Sequence, residues 1–150
     1  MKLSIETKPE TFTLSSGDFL GVIFLRLGET AFPHAEWDDF VPTILNWWLA
    51  EVTKLLRREK DTGTFSFMDG PYWFEVDVAD GRVRLVDDHD DERRIVAEGA
   101  TDLKALATSL LATAREVQAF SATKGWTNSA REVRELTTTV AALIAALAIS

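Results

Sequence analysis

The sequence predicts an α+β fold in which an antiparallel sheet of five to six strands packs against a Trp-rich helix and two C-terminal helices. Two Asp-Gly turns separate short segments of alternating apolar and polar residues, which is typical of a β-meander. A 3.6-residue apolar period runs through residues 35–60 and returns in two stretches near the end of the chain. The length of 150 residues suits one domain over residues 1–150.

The N-terminal part of the chain predicts two strands joined by a loop. Lys2–Glu6 alternates apolar and polar residues as a strand does. Phe19–Leu27 is almost continuously apolar, which is typical of a strand covered on both faces, and Gly21 inside it argues against a buried helix. Thr7–Gly17 contains Pro9 and a Ser-Ser-Gly run, so we expect a loop there.

The Trp-rich helix is expected over Ala35–Lys60. Asp38 or Asp39 is a suitable N-cap, and a cap at Asp39 would place Pro42 in the first turn, where its missing N–H costs nothing. Basic residues at the far end complement the helix dipole. The predicted buried face comprises Trp37, Val41, Ile44, Leu45, Trp48, Val52, Leu55 and Leu56.

Asp80-Gly81 is a strong signal for a two-residue hairpin loop. Such a loop would place Val78 opposite Val83 and would set Asp77 opposite Arg84 as a cross-strand ion pair. The apolar partners would then lie on one face and the charged pair on the other.

Asp69-Gly70 predicts a second hairpin, with Phe67 opposite Tyr72. Both hairpins place the same set of side chains on one face, and a one-residue slip in either would destroy that agreement. Arg93–Glu98 is expected to add a strand. The predicted apolar face comprises Phe65, Phe67, Tyr72, Phe74, Val76, Val78, Val83 and Leu85.

Two amphipathic helices are expected to close the fold. The first spans Thr101–Thr123 with Thr101 as its cap, and Lys124-Gly125 supplies a stop. The capping box Ser129–Glu132 opens the second. The apolar stripe of the second comprises Val133, Leu136, Val140, Leu143 and Leu147.

The composition excludes several classes of function. With 24 acidic and 16 basic residues the net charge is −8, which disfavours binding to nucleic acid and to anionic membranes. The absence of cysteine excludes disulfides, thiolate metal sites and cysteine nucleophiles. The N-terminus lacks the apolar core of a signal peptide, and the apolar run Val140–Ile149 is too short to cross a bilayer, so we expect a cytoplasmic protein.

One segment carries about five of the eight net negative charges: Asp87, Asp88, His89, Asp90, Asp91 and Glu92. If an EF-hand loop began at Asp87, its twelfth position would hold the required Glu, but its sixth position would lack the required Gly. No metal site is therefore expected. Two interpretations remain, a solvated hairpin tip and an acidic surface that meets a basic protein partner.

Catalytic motifs are sparse. His34 and His89 are the only histidines, and the sequence has no nucleophile elbow, P-loop or dinucleotide fingerprint. The acids around Asp39 suit helix capping better than metal binding because they do not share a helical face. Catalysis by two carboxylates depends on tertiary structure, so an enzyme is the less favoured alternative. No cofactor is expected.

Three aromatic residues lie off the predicted core faces. Phe40 and Trp47 share a helical position about 120° from the stripe centre, where either the last helix covers them or a partner does. Trp73 points away from the apolar face of the meander, on the side of Glu75 and Asp77. We regard these three aromatic residues and the acidic segment as candidate partner-binding residues.

Residues 32–78 carry a group of short motifs. They read Phe32-Pro33-x-x-x-Trp37-x-Asp39-Phe40, then Trp47-Trp48, then Phe65-x-Phe67-Met68-Asp69-Gly70-Pro71-Tyr72. This stretch resembles small bacterial proteins that are associated with immunity to polymorphic toxins. The resemblance implies a cytosolic protein that binds a partner protein, a toxin among the candidates, and it implies no catalytic residue.

Three hypotheses of function follow. The first is a non-catalytic protein-binding module of the immunity type, which occludes a toxin. The second is an acidic secretion-type chaperone, for which a homodimer through the C-terminal helix would be favourable evidence. The third is a small enzyme with a carboxylate-lined pocket, which requires converging acids of raised pKa.

Overall fold

Two four-stranded antiparallel sheets and three helices make up the fold, in a computed structural model that describes residues 2–150. The α+β class is confirmed, whereas the single sheet of five to six strands is wrong. Sheet A contains β1 (Leu3–Ser15), β2 (Asp18–Leu27), β3 (Thr30–Phe32) and β4 (Asp38–Phe40). Sheet B contains β5 (Thr62–Ser66), β6 (Tyr72–Asp77), β7 (Arg82–Asp87) and β8 (Arg94–Ala100). The helices are α1 (Val41–Leu56), α2 (Leu103–Lys124) and α3 (Arg131–Ala148).

Sheet A is built around β2, which pairs with β1, with β3 and with β4. The predicted loop Thr7–Gly17 is wrong, because β1 continues through most of it. Ser16 and Gly17 form a two-residue turn with φ of +53° and +83°, the conformation that suits a tight hairpin. A shift of register in the middle of β1 accommodates Pro9, which an edge strand tolerates.

Sheet B follows the order β5-β6-β7-β8. Phe65 faces Phe74 as predicted, and their rings stack with centroids 4.6 Å apart. The β6–β7 loop has four residues instead of two, so the strands shift by two positions and Asp77 faces Arg82 rather than Arg84. A shift of two keeps every side chain on its predicted face. Val78 is the exception, because it lies in the turn and is exposed.

Helix α1 is the centre of the molecule and packs against both sheets and both other helices. It begins at Val41, later than predicted, with Phe40 as its N-cap and Pro42 in the first turn. Trp48 is completely buried, and its indole N–H donates to the backbone carbonyl of Ser66 at 2.8 Å. This bond ties the middle of α1 to the end of β5.

The two C-terminal helices lie against α1 and against each other. Gly125 ends α2 in the left-handed conformation, with φ of +72°, as predicted. Asp102 caps α2 in place of Thr101, because its carboxylate accepts from the backbone N–H of Lys104. Helix α3 follows Ala130 without a side-chain cap, so the predicted capping box is wrong. The stripe of α3 is buried at Val133, Leu136, Val140 and Leu143 and half-buried at Leu147.

One hydrophobic cluster joins all three helices to the inner faces of both sheets. In sheet B, Phe65, Phe74 and Leu85 point into this cluster. The alternate side chains point the other way, to the surface that we call the outer face of sheet B.

Candidate functional site

An apolar row crosses the outer face of sheet B. Trp73 pairs with Val86, and Val86 pairs with Ile95, so three adjacent strands place these side chains next to each other. Val86 is buried yet lies outside the main hydrophobic cluster. Ile95 and Val96 are 47% and 50% exposed, respectively. We define Trp73, Val86, Ile95 and Val96 as the apolar row.

A β-bulge in β8 creates the exposed end of this row. Leu85 pairs with Ala97 while Val86 pairs with Ile95, so Val96 is one residue in excess. Without the bulge, strict alternation would turn Ile95 toward the inner face, as Ala97 is. With it, Ile95 and Val96 both project from the outer face. Two β-branched aliphatic side chains are thus displayed side by side at the surface.

A charged row runs parallel to the apolar row, one side chain further along each strand. Glu75 faces Arg84, and Arg84 faces Glu98, so the charges alternate in sign across three strands. Glu98 lies 3.4 Å from both Arg84 and Arg82. Alternating charges at cross-strand positions stabilise the sheet and form one polar border of the apolar row.

Glu75 connects Trp73 to the acidic segment. Its carboxylate accepts from the indole N–H of Trp73 at 3.0 Å and from the guanidinium of Arg93 at 2.8 and 2.9 Å. Burial alone would raise the pKa of Glu75, but these hydrogen bonds and the charges of Arg93 and Arg84 outweigh it and hold the pKa below its usual range. Glu75 therefore orients an aromatic side chain and anchors the end of the acidic segment.

Asp87 is the last residue of β7, and the five residues after it lead through Arg93 to β8. We call Asp87–Glu92 the acidic loop. His89–Asp91 form a short 3-10 turn in which Asp90 and Asp91 have φ of +55° and +60°. Left-handed backbone is uncommon for residues other than glycine, although aspartate adopts it more readily than most. The backbone N–H of Asp88 donates to Pro71 at 3.0 Å, so the loop lies against the β5–β6 turn.

Asp87, His89 and Tyr72 form a hydrogen-bonded chain at the base of the acidic loop. Asp87 binds both the ring and the backbone N–H of His89, and His89 Nε2 lies 3.4 Å from the Tyr72 hydroxyl. Desolvation opposes ionisation of Asp87, but its bonds to His89 and the charge of Arg94 hold its pKa below the usual range. Desolvation and the charge of Asp87 raise the pKa of Tyr72. The phenol therefore stays protonated and supports the loop.

Four carboxylates of the acidic loop point to solvent or are only half-buried. Within residues 2–150, Asp88, Asp90, Asp91 and Glu92 have no ion-pair partner within 4.0 Å. Their charges remain available to an approaching cation. The acidic loop thus presents uncompensated negative charge at the end of the strand that displays Ile95 and Val96.

Phe40 and Trp47 do not share a helical stripe, because Phe40 precedes α1. Phe40 is half-buried in β4, where it pairs with Leu20 on sheet A. Trp47 is 43% exposed on α1 and lines a groove of about 580 Å³ beside β5. Met68 lies across this groove and is 46% exposed. The last helix therefore does not cover Trp47.

Asp39 is not the N-cap of α1 that was expected, but holds neighbouring segments together. It is buried, and its carboxylate accepts from the indole of Trp37 at 3.0 Å and from the backbone N–H of Phe40 at 2.7 Å. The backbone N–H of Asp69 also donates to it, at 3.3 Å. These bonds join the start of α1 to the β5–β6 turn. In the described part of the chain, no group of three or more His, Cys, Asp or Glu side chains is arranged to hold a metal ion.

The carboxyl groups with clearly shifted pKa are Glu51, Glu75 and Asp87, and in each the pKa is lowered. A carboxylic acid that donates a proton in catalysis needs a raised pKa. A lowered pKa is typical of ion-paired and hydrogen-bonded carboxylates.

The structure brings together two of the predicted features, Trp73 and the acidic loop, through Arg93 and Glu75. Sequence reasoning missed Ile95 and Val96 because strict alternation places one of them in the core. Their signal in the sequence is weak, since a bulge on one strand leaves only a run of three apolar residues, Ile95–Ala97, between charged ones.

Comparisons with known proteins found no similarity from which to assign a family. No protein-family model matches the chain, and no curated protein or solved structure matches it. The resemblance to immunity proteins stays a prediction. None of the helices formed by residues 2–150 is long and apolar enough to span a bilayer.

Proposed function

We propose that this chain is a non-catalytic protein-binding module of the immunity type, which acts in the cytoplasm and covers a basic surface of a toxin. The observation that carries the proposal is the junction of the acidic loop with the exposed end of the apolar row. The loop supplies unpaired negative charge, and Ile95 and Val96 supply apolar surface at the next strand. Protein interfaces combine such an apolar centre with charges that steer the partner.

Pre-organisation also supports this surface. The Trp73 indole and the Arg93 guanidinium share the Glu75 carboxylate, and His89 is bonded to Asp87. Side chains that are already ordered lose less conformational entropy on association. The bulge that turns Ile95 outward is the kind of irregularity that often re-aims a side chain near a functional site.

The proposal is tested with the product of the gene adjacent to this one in its native genome. Expression of the adjacent gene alone is expected to arrest growth, and co-expression of this chain is expected to restore it. A neighbour that is a secreted effector without toxicity would favour the chaperone hypothesis instead. The absence of any binding between the two purified products would contradict the proposal.

The binding surface is tested in the purified pair by two double variants. Reversal of charge in Asp90→Lys/Asp91→Lys is expected to lower affinity at least about tenfold at low salt, mainly through a slower association rate. The matched control Glu10→Lys/Glu116→Lys changes the net charge equally at exposed positions on β1 and α2. Equal losses in both variants would show that net charge alone matters.

The apolar part is tested by Ile95→Ser/Val96→Ser, which is expected to speed dissociation about tenfold. Ile144→Ser on α3 is the control, because Ile144 is 41% exposed on a different element. The chaperone hypothesis is favoured by a homodimer through α3. Sedimentation of the free protein tests for this homodimer, and a monomer would exclude it.

A further inference from the structure

The groove beside Trp47 continues the surface described above. Ser66 is the β5 member of the same cross-strand line as Trp73, Val86 and Ile95, because Ser66 pairs with Trp73. Ser66 also lines the groove, together with Trp47 and Met68. A band therefore leads from α1 along this line to Ile95 and the acidic loop, and Val86 within it is fully buried.

The walls and floor of the groove differ in chemistry. Trp47 and Met68 form exposed apolar walls, at 43% and 46% exposure. The floor contains Glu51, whose carboxylate accepts from Lys60 Nζ and from the backbone N–H of Thr64, each at 2.8 Å. Burial opposes ionisation of Glu51, but these bonds and the charges of Lys60 and Lys54 hold its pKa below the usual range.

The charge balance of the groove decides what it can bind. Glu51 is compensated by Lys60, and Lys54 adds a further positive charge, so a cationic side chain gains nothing there. The acidic loop, in contrast, has four carboxylates without ion pairs within the described residues. The two ends of the band therefore select different parts of one partner, apolar at the groove and basic at the loop.

We propose that the groove between α1 and β5 receives an apolar side chain of the same basic partner whose positive charges meet the acidic loop. This inference rests on the proposed function and adds the chemistry of the partner. The β5–β6 turn links the two sites, because Met68 lines the groove and the backbone N–H of Asp88 donates to the carbonyl of Pro71 in the same turn. The apolar and basic groups therefore belong to one contiguous segment of the partner.

A second copy of this chain fits the band less well than a basic protein does. The chain carries a net charge of −8, and the acidic loop lies directly beside the apolar row. Two copies that met through this band would bring two net-negative chains together, at an electrostatic cost.

The test uses protein labelled with 5-fluorotryptophan, whose five ¹⁹F resonances are assigned by single Trp→Phe variants. The probe is a seven-residue peptide with leucine at one end, a Gly-Ser spacer and three basic residues at the other end, about 23 Å when extended. We expect the resonances of Trp47 and Trp73 to shift together and that of Trp126 to stay unchanged. Replacement of the leucine by alanine is expected to abolish the Trp47 shift and to weaken binding about tenfold.

Protein variants separate the two proposals. Trp73 is expected to respond still in a Met68→Ser variant, while Trp47 loses its response, and Ile144→Ser is expected to behave as the parent protein. If Trp73 shifts in the parent protein and Trp47 does not, the proposal that the groove binds an apolar side chain is overturned and the proposed function stands. A peptide that shifts neither resonance also overturns the proposal for the groove. The proposed function is then decided by the binding experiment with the adjacent gene product. Resonances that shift with protein concentration alone, together with a dimer in sedimentation, would identify a second copy as the occupant and overturn the assignment.

Discussion

The guanidinium of Arg93 lies 2.8 and 2.9 Å from the two carboxylate oxygens of Glu75, so the chain that leaves the acidic loop is bonded to the middle strands of sheet B. Glu75 is 19% exposed and Arg93 is 50% exposed. The pair is thus partly screened by water. Its main effect is to restrict the loop rather than to stabilise the whole fold.

Removal of this pair is expected to release the acidic loop. In Arg93→Met, the backbone amides of residues 88–93 should exchange with solvent faster, while the free energy of unfolding falls by less than about 1 kcal/mol. Hydrogen exchange and urea unfolding measure the two effects. Arg131→Met is the control, because it breaks an exposed pair with Glu135 on α3. Unchanged exchange in the loop of Arg93→Met would contradict the restraint.

Stability is expected to decrease in acid through two carboxylates. The pKa values of Glu51 and Glu75 are lower in the folded protein than their ordinary value of 4.5. The unfolded chain therefore binds more protons, so stability is present above pH 4.5 and is lost as pH falls through the folded pKa values. Urea midpoints between about pH 6 and pH 3 measure this slope. The double variant Glu51→Gln/Glu75→Gln should flatten it, and an unchanged slope would assign the acid sensitivity to other groups.

Gly21 and Phe12 are expected to be energetically coupled. A Cβ atom at Gly21 would overlap Phe12 Cδ1, so Gly21→Ala forces the buried ring of Phe12 to move. We expect Gly21→Ala to destabilise the protein by about 1–3 kcal/mol. In the Phe12→Leu background the same change should cost less, and the double-mutant cycle measures the difference. Strict additivity would contradict the close contact.

Asn46 is expected to be a strong polar link between α1 and α3. Its side-chain N–H groups donate to the carbonyls of Glu132, at 2.8 Å, and Pro42, at 3.0 Å, and its Oδ1 accepts from Thr139 at 2.7 Å. Asn46→Ala removes these partners inside the protein and should cost about 1–3 kcal/mol in urea unfolding. Asn128→Ala, at an exposed site, is the control. Equal stability of the two variants would show that water replaces the lost bonds.

The sequence predicts secondary structure best where an apolar period extends over many residues. The apolar stripe of α3 and the stacked pair Phe65–Phe74 were both identified, because each follows from a repeated pattern. Strands β3 and β4 were missed, since three residues are too few to show a period. The helix start at Val41 was missed because Asp39 is bound by Trp37 and Asp69, which are tertiary partners that the local pattern does not contain.

The candidate site was only partly predictable for a related physical reason. Clustered charge is visible in the sequence, so the acidic loop was found. The position of Trp73 on the outer face, where it is half-buried, followed from alternation alone. Ile95 and Val96 were missed because the bulge depends on which β7 residue each β8 residue faces, and this register is set by the whole sheet.

The same bulge affects how the molecule behaves in concentrated solution. β8 is one of the two edge strands of sheet B, and an uninterrupted edge strand is a template on which further strands can add. The extra residue at Val96 breaks the repeat of backbone donors and acceptors halfway along β8. β8 can therefore display two adjacent aliphatic side chains while it is a poorer template for strand addition than a regular edge strand. Deletion of Val96 would restore a continuous edge and remove that protection.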